Sequence, residues 1–300
     1  MTLTKHLLGT IQNCMASLYQ SVFRPDLFAG QAGIVTGAGS GIGRCTAHEL
    51  AALGVRVALI GRKAEKLEAV AREIADAGGT ARCYTADIRE EARIAEVVRA
   101  VLTDHGRIDF LVNNAGGQFS SPLEKISANG WDAVVRTNLT GGFLVARETY
   151  TQWMKQHGGA IVNMIADMWN GMPGMGHSGA ARAGMLNFTE TAALEWAPVR
   201  VNAVAPGWIA SSGLDHYPSE MREHIRALAK KVPLGRLGTE SEISAAIVFL
   251  LSPAAAFVSG SCIRIDGAVP NVKPNYTLPP RGTTLAFDGF QLATKPKVLE

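Results

Sequence analysis

No two of the four cysteines form a CxxC pair; Cys14, Cys45, Cys83 and Cys262 are scattered along the chain. That scatter gives no zinc site and no disulfide framework, and reduced thiols in a cytoplasm are the expectation. No apolar run reaches the length of a membrane span, so no integral membrane segment is expected. A good secretory signal is also missing, because Gln12 and Asn13 interrupt the first apolar stretch. Strong charge of either sign is absent. Lys and Arg total 29 against 26 Asp and Glu, a formal +3 that does not suggest nucleic-acid binding and supports an anionic ligand only weakly. Charged residues make up 18% of a chain that is 47% hydrophobic, which argues for a large core and against disorder.

Glycine is plentiful, at 32 residues, and suits many tight strand–helix turns. From Gln31 onward, short apolar runs alternate with longer amphipathic ones. The strand candidates are AGIVTG, RVALIG, ARCYTA, IDFLVNNAG, GAIVNMI, VRVNAVAPG and CIRIDG. Between them lie helical patterns over 41–53, 64–77, EEARIAEVVRAVLTDHG, 131–156, 180–196 and SEISAAIVFLLS. Val, Ile and Ala without alternation mark strands buried on both faces. The rhythm predicts an α/β fold: a doubly wound parallel sheet of Rossmann type, in a single domain over 31–267. Ahead of it, Leu7, Ile11, Met15, Leu18 and Val22 recur at helical spacing and predict a helical extension over 1–30. The tail over 268–300 is Pro-rich and is expected to lie on a neighbour or to stay mobile. The aperiodic segment Ser211 to Leu237 follows a strand end and is a candidate substrate lid.

The stretch VTGAGSGIGR joins the first strand to the first helix. Its glycines let a backbone approach a pyrophosphate at the positive end of a helix, so Gly37, Ser40, Gly41, Ile42 and Gly43 are candidate cofactor contacts. At the end of the second strand, an acidic residue would bind the ribose hydroxyl of NAD; this chain reads IGRKAEK there. Arg62 and Lys63 can instead neutralise a 2′-phosphate, which favours NADP(H).

With TGAGSGIG, ADI, NNAG, TNLTGGF and VNAVAPGWI in one order, the chain resembles the short-chain dehydrogenase/reductase family over roughly 31–267. The resemblance implies that Asp87 and Ile88 hold the adenine, and that Asn114, Ala115 and Gly116 line the cofactor floor. It also implies that Pro206, Gly207 and Ile209 meet the nicotinamide, that Ser211 contacts phosphate and that Asn138 supports an active-site water network. The family's catalytic serine, tyrosine and lysine fall here on Ala166, Ser178 and Arg182. Without a phenol of tunable pKa, ordinary alcohol–ketone interconversion loses its general acid. One branch shares this departure. NNAGGQF, WMKQHGGAIVN and HSGAARAGM resemble the peroxisomal trans-2-enoyl-CoA reductases, and the related 2,4-dienoyl-CoA reductases also depart from the tyrosine pattern.

That resemblance implies an oxidoreductase that reduces the 2,3 double bond of a trans-2-enoyl-CoA with hydride from NADPH. The partner is then an acyl-CoA thioester, and the family implies a homo-oligomer, dimer or tetramer. The ending KPKVLE is no serine-lysine-leucine address, so the peroxisome is not implied. Enoyl reduction needs fixed donors at the thioester oxygen more than it needs a protein acid. Ser178 is expected to donate there, directly or through water, and Arg182, one turn on, to hold the nicotinamide ribose. Asn138 would order water, with His177 and Asp167 as lesser relay candidates. Gln118 and Phe119 are expected at the edge of the acyl pocket, and Met164, Met168, Trp169, Met172 and Met175 along its apolar wall. The competing readings are a reductase of a dienoyl-CoA, a carbonyl or a branched terpenoid-type acyl-CoA, and a catalytically idle NADP(H)-binding protein.

Overall fold

The structure is a computed structural model that describes residues 18–217, 219–280 and 282–300. Seven parallel strands form one sheet in the order β3-β2-β1-β4-β5-β6-β7. They are β1 (Ala32–Thr36), β2 (Arg56–Gly61), β3 (Thr80–Thr85), β4 (Phe110–Asn113), β5 (Ala160–Met164), β6 (Arg200–Pro206) and β7 (Cys262–Ile265). β1, β4 and β5 are buried at every position, as strands covered on both faces must be. The edge strands β3 and β7 are partly exposed. Chain order reverses between β1 and β4, which opens a crevice at the carboxyl ends of those strands.

The main helices are α1 (Gly41–Ala52), α2 (Ala64–Asp76), α3 (Glu91–His105), α5 (Gly176–Glu195), α6 (Arg222–Lys231) and α7 (Glu240–Leu251). Helix α4 spans 128–157 and is interrupted by two π-helical turns, Arg136–Thr140 and Tyr150–Met154. One face of the sheet buries Leu50 of α1, Leu67 of α2 and Ile247 of α7. The opposite face buries Ile94 of α3, Val145 of α4 and Ala192 of α5. The sheet is therefore wound on both sides, as its strand composition predicts. Glycine lets α4 and α5 approach closely: a Cβ on Gly142 would lie 2.6 Å from Met185 Cε, and one on Gly184 would lie 2.9 Å from Leu139 Cδ2.

Three regions differ from the sequence reading. Most of the anticipated N-terminal helix lies outside the described residues, and the part over 18–31 is turn and bend. Its Phe28 is buried against Phe110, with ring centroids 4.8 Å apart. The lid candidate holds α6, a polar helix that buries one face through Ile225 and Leu228. The tail packs on its own chain. Phe290 is buried beside Tyr19 and Cys45, and Val298 packs on Ile225 and Leu228. Asp215 accepts from the Lys297 and Val298 backbone N–H groups at 3.2 and 3.0 Å. Among the described residues, no helix is long and apolar enough to cross a membrane.

Candidate active site

The turn after β1 is shaped by what cannot fit in it. A Cβ on Gly43 would stand 2.4 Å from both the Gly37 carbonyl oxygen and Asn114 Nδ2, and Gly37 itself has φ +65°. Only glycine serves at these points. Asn114 Nδ2 donates to the Thr36 carbonyl at 3.0 Å and to the Gly37 carbonyl at 3.4 Å. Thr36 Oγ1 accepts from the Asn114 and Ala115 backbone N–H groups, both at 3.0 Å, and donates to the Val112 carbonyl. Thr36 was not a candidate from the sequence, yet it joins β1, β4 and the NNAG loop. The turn delivers the start of α1, where Gly41 and Ile42 lie behind Ser40; no side chain caps that helix. Its first N–H groups and positive dipole end suit a pyrophosphate.

Past the end of β2, Arg62 and Lys63 are exposed and have no ion-pair partner among the described residues. Arg62 lines a cavity of about 310 Å³ with Thr85, Asp87 and Arg93. Asp87 is already engaged: Arg89 grips its carboxylate from Nε and Nη2, which holds the acid below its ordinary range. Ile88 is buried, and Gly141 of α4 makes room for it, since a Cβ there would meet Ile88 Cγ1 at 2.6 Å. The close-approach glycines and the uncapped helix fit the pyrophosphate of a dinucleotide. On the other side of the crevice, Gly207 passes so near β7 that a Cβ would lie 2.7 Å from Asp266 Cα. Pro206 ends β6, Ile209 is buried, and Ser211 is half-buried.

Ser178 and Arg182 share one face at the head of α5, both buried. Arg182 donates from Nη1 to the Met164 carbonyl, while its Nε has no hydrogen-bond partner. No carboxylate among the described residues pairs with it, and burial alone pushes it down to about 10. It remains a cation at neutral pH. A Cβ on Gly116 would sit 2.5 Å from Arg182 Nη2, so glycine at 116 keeps the guanidinium open to the crevice floor. A buried cation with an unmet donor is costly by itself and suits an anionic or electron-rich ligand.

The hydroxyl of Ser178 donates to Gln118 Oε1 at 2.6 Å, so the proton expected at a thioester is engaged in this structure. Asn138, in the first π turn of α4, accepts from Gly117 N–H at 2.8 Å and donates to the Gly117 carbonyl at 2.9 Å. The expected water-ordering amide thus clamps the loop beside Gln118. His177 Nδ1 accepts from the Ser178 backbone N–H at 2.9 Å, and its ring meets Phe119 edge-on at 4.5 Å; both contacts serve the start of α5. Burial, with Asp266 adding to it, raises the Asp167 carboxyl. The apolar wall is only partly assembled. Met164 belongs to the core, and Trp169 stacks on Arg264 at 4.9 Å, while Met172 lies against Gly179 and Met175 meets Tyr217.

Residues 37–269 match the family described as enoyl-(acyl carrier protein) reductase. A Bacillus subtilis protein named probable 2,4-dienoyl-CoA reductase is 39% identical over 239 residues, covering 78% of this chain and 94% of that one. The solved structure of a citronellol catabolism dehydrogenase from Pseudomonas aeruginosa is 61% identical with a TM-score of 0.76, covering 84% of this chain and 99% of that one. Actinorhodin polyketide ketoreductase, solved with NADPH, is 30% identical with a TM-score of 0.77, over 83% of this chain and 100% of that one.

Proposed function

The chain belongs to the short-chain dehydrogenase/reductase family, and from that premise we propose that it reduces the 2,3 double bond of a trans-2-enoyl-CoA with NADPH. The observation that carries this reading is the head of α5, whose own side chains offer a buried hydroxyl and a buried guanidinium with no carboxylate partner among the described residues, while the phenol of Tyr217 reaches Ser178 only through Gln118. A ketone reductase must deliver a proton to the carbonyl oxygen, and Arg182 is a poor proton donor at neutral pH. Enoyl reduction removes that need. Bound NADPH would supply the hydride that Cβ takes; the electron pair would then rest on the thioester oxygen, and water would give Cα its proton. The protein then has to hold an oxyanion, for which a single fixed donor contributes about 3 kcal/mol.

The polar cluster around Ser178 faces that oxygen in this reading. Arg182 supplies positive charge and holds the nicotinamide ribose, with Pro206, Gly207 and Ile209 walling the ring. Asn138 positions the loop 116–118 through Gly117. Arg62, with Lys63, takes the 2′-phosphate and gives preference for NADP(H). The protein works as a homo-oligomer in the cytoplasm.

A second reading changes the acyl group only. The 61% identity to a citronellol catabolism dehydrogenase favours a branched, terpenoid-type acyl-CoA over a straight chain. One cofactor-oxidation screen tests both, using straight and branched 2-enoyl-CoA esters beside 2,4-dienoyl-CoA and 3-ketoacyl-CoA. NADPH consumption with the 2-enoyl esters and not with the ketone is the expected result. Protein that binds NADPH but consumes it with none of these esters would falsify the enzyme assignment.

A further inference from the structure

Three side chains from three separate elements meet at the mouth of the crevice. Ser178 opens α5, Gln118 stands on the exposed loop after β4, and Tyr217 stands in the segment after β6. Ser178 Oγ donates to Gln118 Oε1 at 2.6 Å, and Gln118 Nε2 donates to Tyr217 Oη at 3.3 Å. Tyr217 in turn directs its proton to Met175 Sδ, 3.9 Å away. The backbone just before Gln118 is held at both its N–H and its C=O by Asn138.

The proton count decides which of these groups can serve an incoming oxygen. A serine hydroxyl has one proton, and here Gln118 takes it, so Ser178 can only accept further. A carboxamide has two N–H protons. Tyr217 takes one, and no protein group among the described residues takes the other. Accepting a hydrogen bond at Oε1 polarises the amide and makes that remaining N–H a stronger donor.

We propose that Gln118 Nε2 is the donor to the thioester oxygen, with Ser178 and Tyr217 as positioning residues that fix the orientation of its carboxamide. The proposal rests on the enoyl-reduction reading and assigns the oxyanion contact within it. Gln118 transfers no proton; its N–H stays on nitrogen while charge grows on oxygen, and Cα is protonated by water. Asn and Gln amides are suitable donors for such a site.

The test compares variants with a trans-2-enoyl-CoA, using NADPH binding and melting temperature as controls for folding. Gln118→Leu is expected to lower kcat about a hundredfold, as loss of an oxyanion donor does. Ser178→Ala is expected to cost only about tenfold, the size of one orienting hydrogen bond, and to add nothing in the Gln118→Leu background. Gln118→Glu keeps the acceptor but loses the amide donor, so its activity should recover as pH falls and the carboxyl gains a proton. A larger loss from Ser178→Ala than from Gln118→Leu, or losses that multiply, overturns the proposal; that is the pattern a flipped amide with a free serine proton would give. Infrared spectra of a ¹³C-labelled thioester carbonyl, bound beside NADP⁺, supply a readout without turnover. The red shift should vanish in Gln118→Leu and largely survive in Ser178→Ala. A wild type that shifts the carbonyl but reduces nothing overturns the enoyl-reduction reading, and the infrared ranking then judges Gln118 alone. A wild type that binds no acyl thioester overturns both.

Discussion

The two ends of the crevice are built on opposite plans. At the turn after β1, the protein braces its own loop and leaves only the first N–H groups of α1 uncapped: Thr36 serves two backbone N–H groups and one carbonyl, and Asn114 braces two carbonyls. At the head of α5, Arg182 Nε and His177 Nε2 are buried without partners. The first end is a finished mould, rigid because its bonds are made. The second carries unmet demand, which stabilises nothing until a ligand arrives. A cradle can be read as architecture, whereas a reactive end shows itself by what it leaves undone.

The sharpest way to break this contrast is Arg182→Met. Turnover should fall about a hundred- to a thousandfold with the loss of the positive charge. Stability without cofactor should rise by about 1–2 kcal/mol, because a buried cation with no anionic partner among the described residues is removed. A urea melt showing lower stability would mean that Arg182 is satisfied after all.

Glu240 is the exception on the cofactor side, and it sets the next test. It opens α7 and lies 3.8 Å from where a Cβ on Gly41 would stand. Burial, reinforced by Asp288, lifts its carboxyl from about 4.5 to about 7. The folded chain therefore keeps a proton that the unfolded chain loses, and stability falls as pH rises through that window. Glu240→Gln should raise stability by about 3 kcal/mol at pH 8 and leave it little changed at pH 4. Equal gains at both pH values would remove the titration from the account.

Thr36→Val tests the finished mould directly. Stranding two backbone N–H groups should cost about 2 kcal/mol of stability without cofactor, the reverse of Arg182→Met. A neutral result in the same urea melt would show that water replaces the hydroxyl. The smallest expected effect is at the rim, where Arg62→Ala should lower the preference for NADPH over NADH about tenfold, since an exposed cation loses much of its attraction to solvent. Unchanged selectivity would sink the role of Arg62 at the 2′-phosphate.

Much of the fold is legible in the sequence because buried parallel strands are almost uniformly apolar, as in AIVNM and FLVN, and because the glycine turn sits between a strand and a helix. Helix α5 starts at Gly176, four residues before the periodic pattern suggests, because Gly176, His177, Ser178 and Gly179 give its first turn no aliphatic residue to mark the period. The placement of Ser178 and Arg182 on one face follows from their spacing. The partners do not. Gln118 and Tyr217 lie 99 positions apart, and nothing local marks their contact. Asp87 offers a similar lesson: Arg89 claims its carboxylate from two residues away, and only the side-chain conformation reveals it.

Asn138 has a consequence for how such an enzyme could be altered. Its amide ties Gly117 to the π turn of α4 at both backbone groups, so the neighbouring Gln118 is carried by a helix rather than by a free loop. The residues that would touch an acyl chain, such as Phe119 and Met172, lie outside that tie. Laboratory evolution could then vary chain length and branching at the wall while the reactive geometry is inherited unchanged, which separates the choice of substrate from the capacity to react.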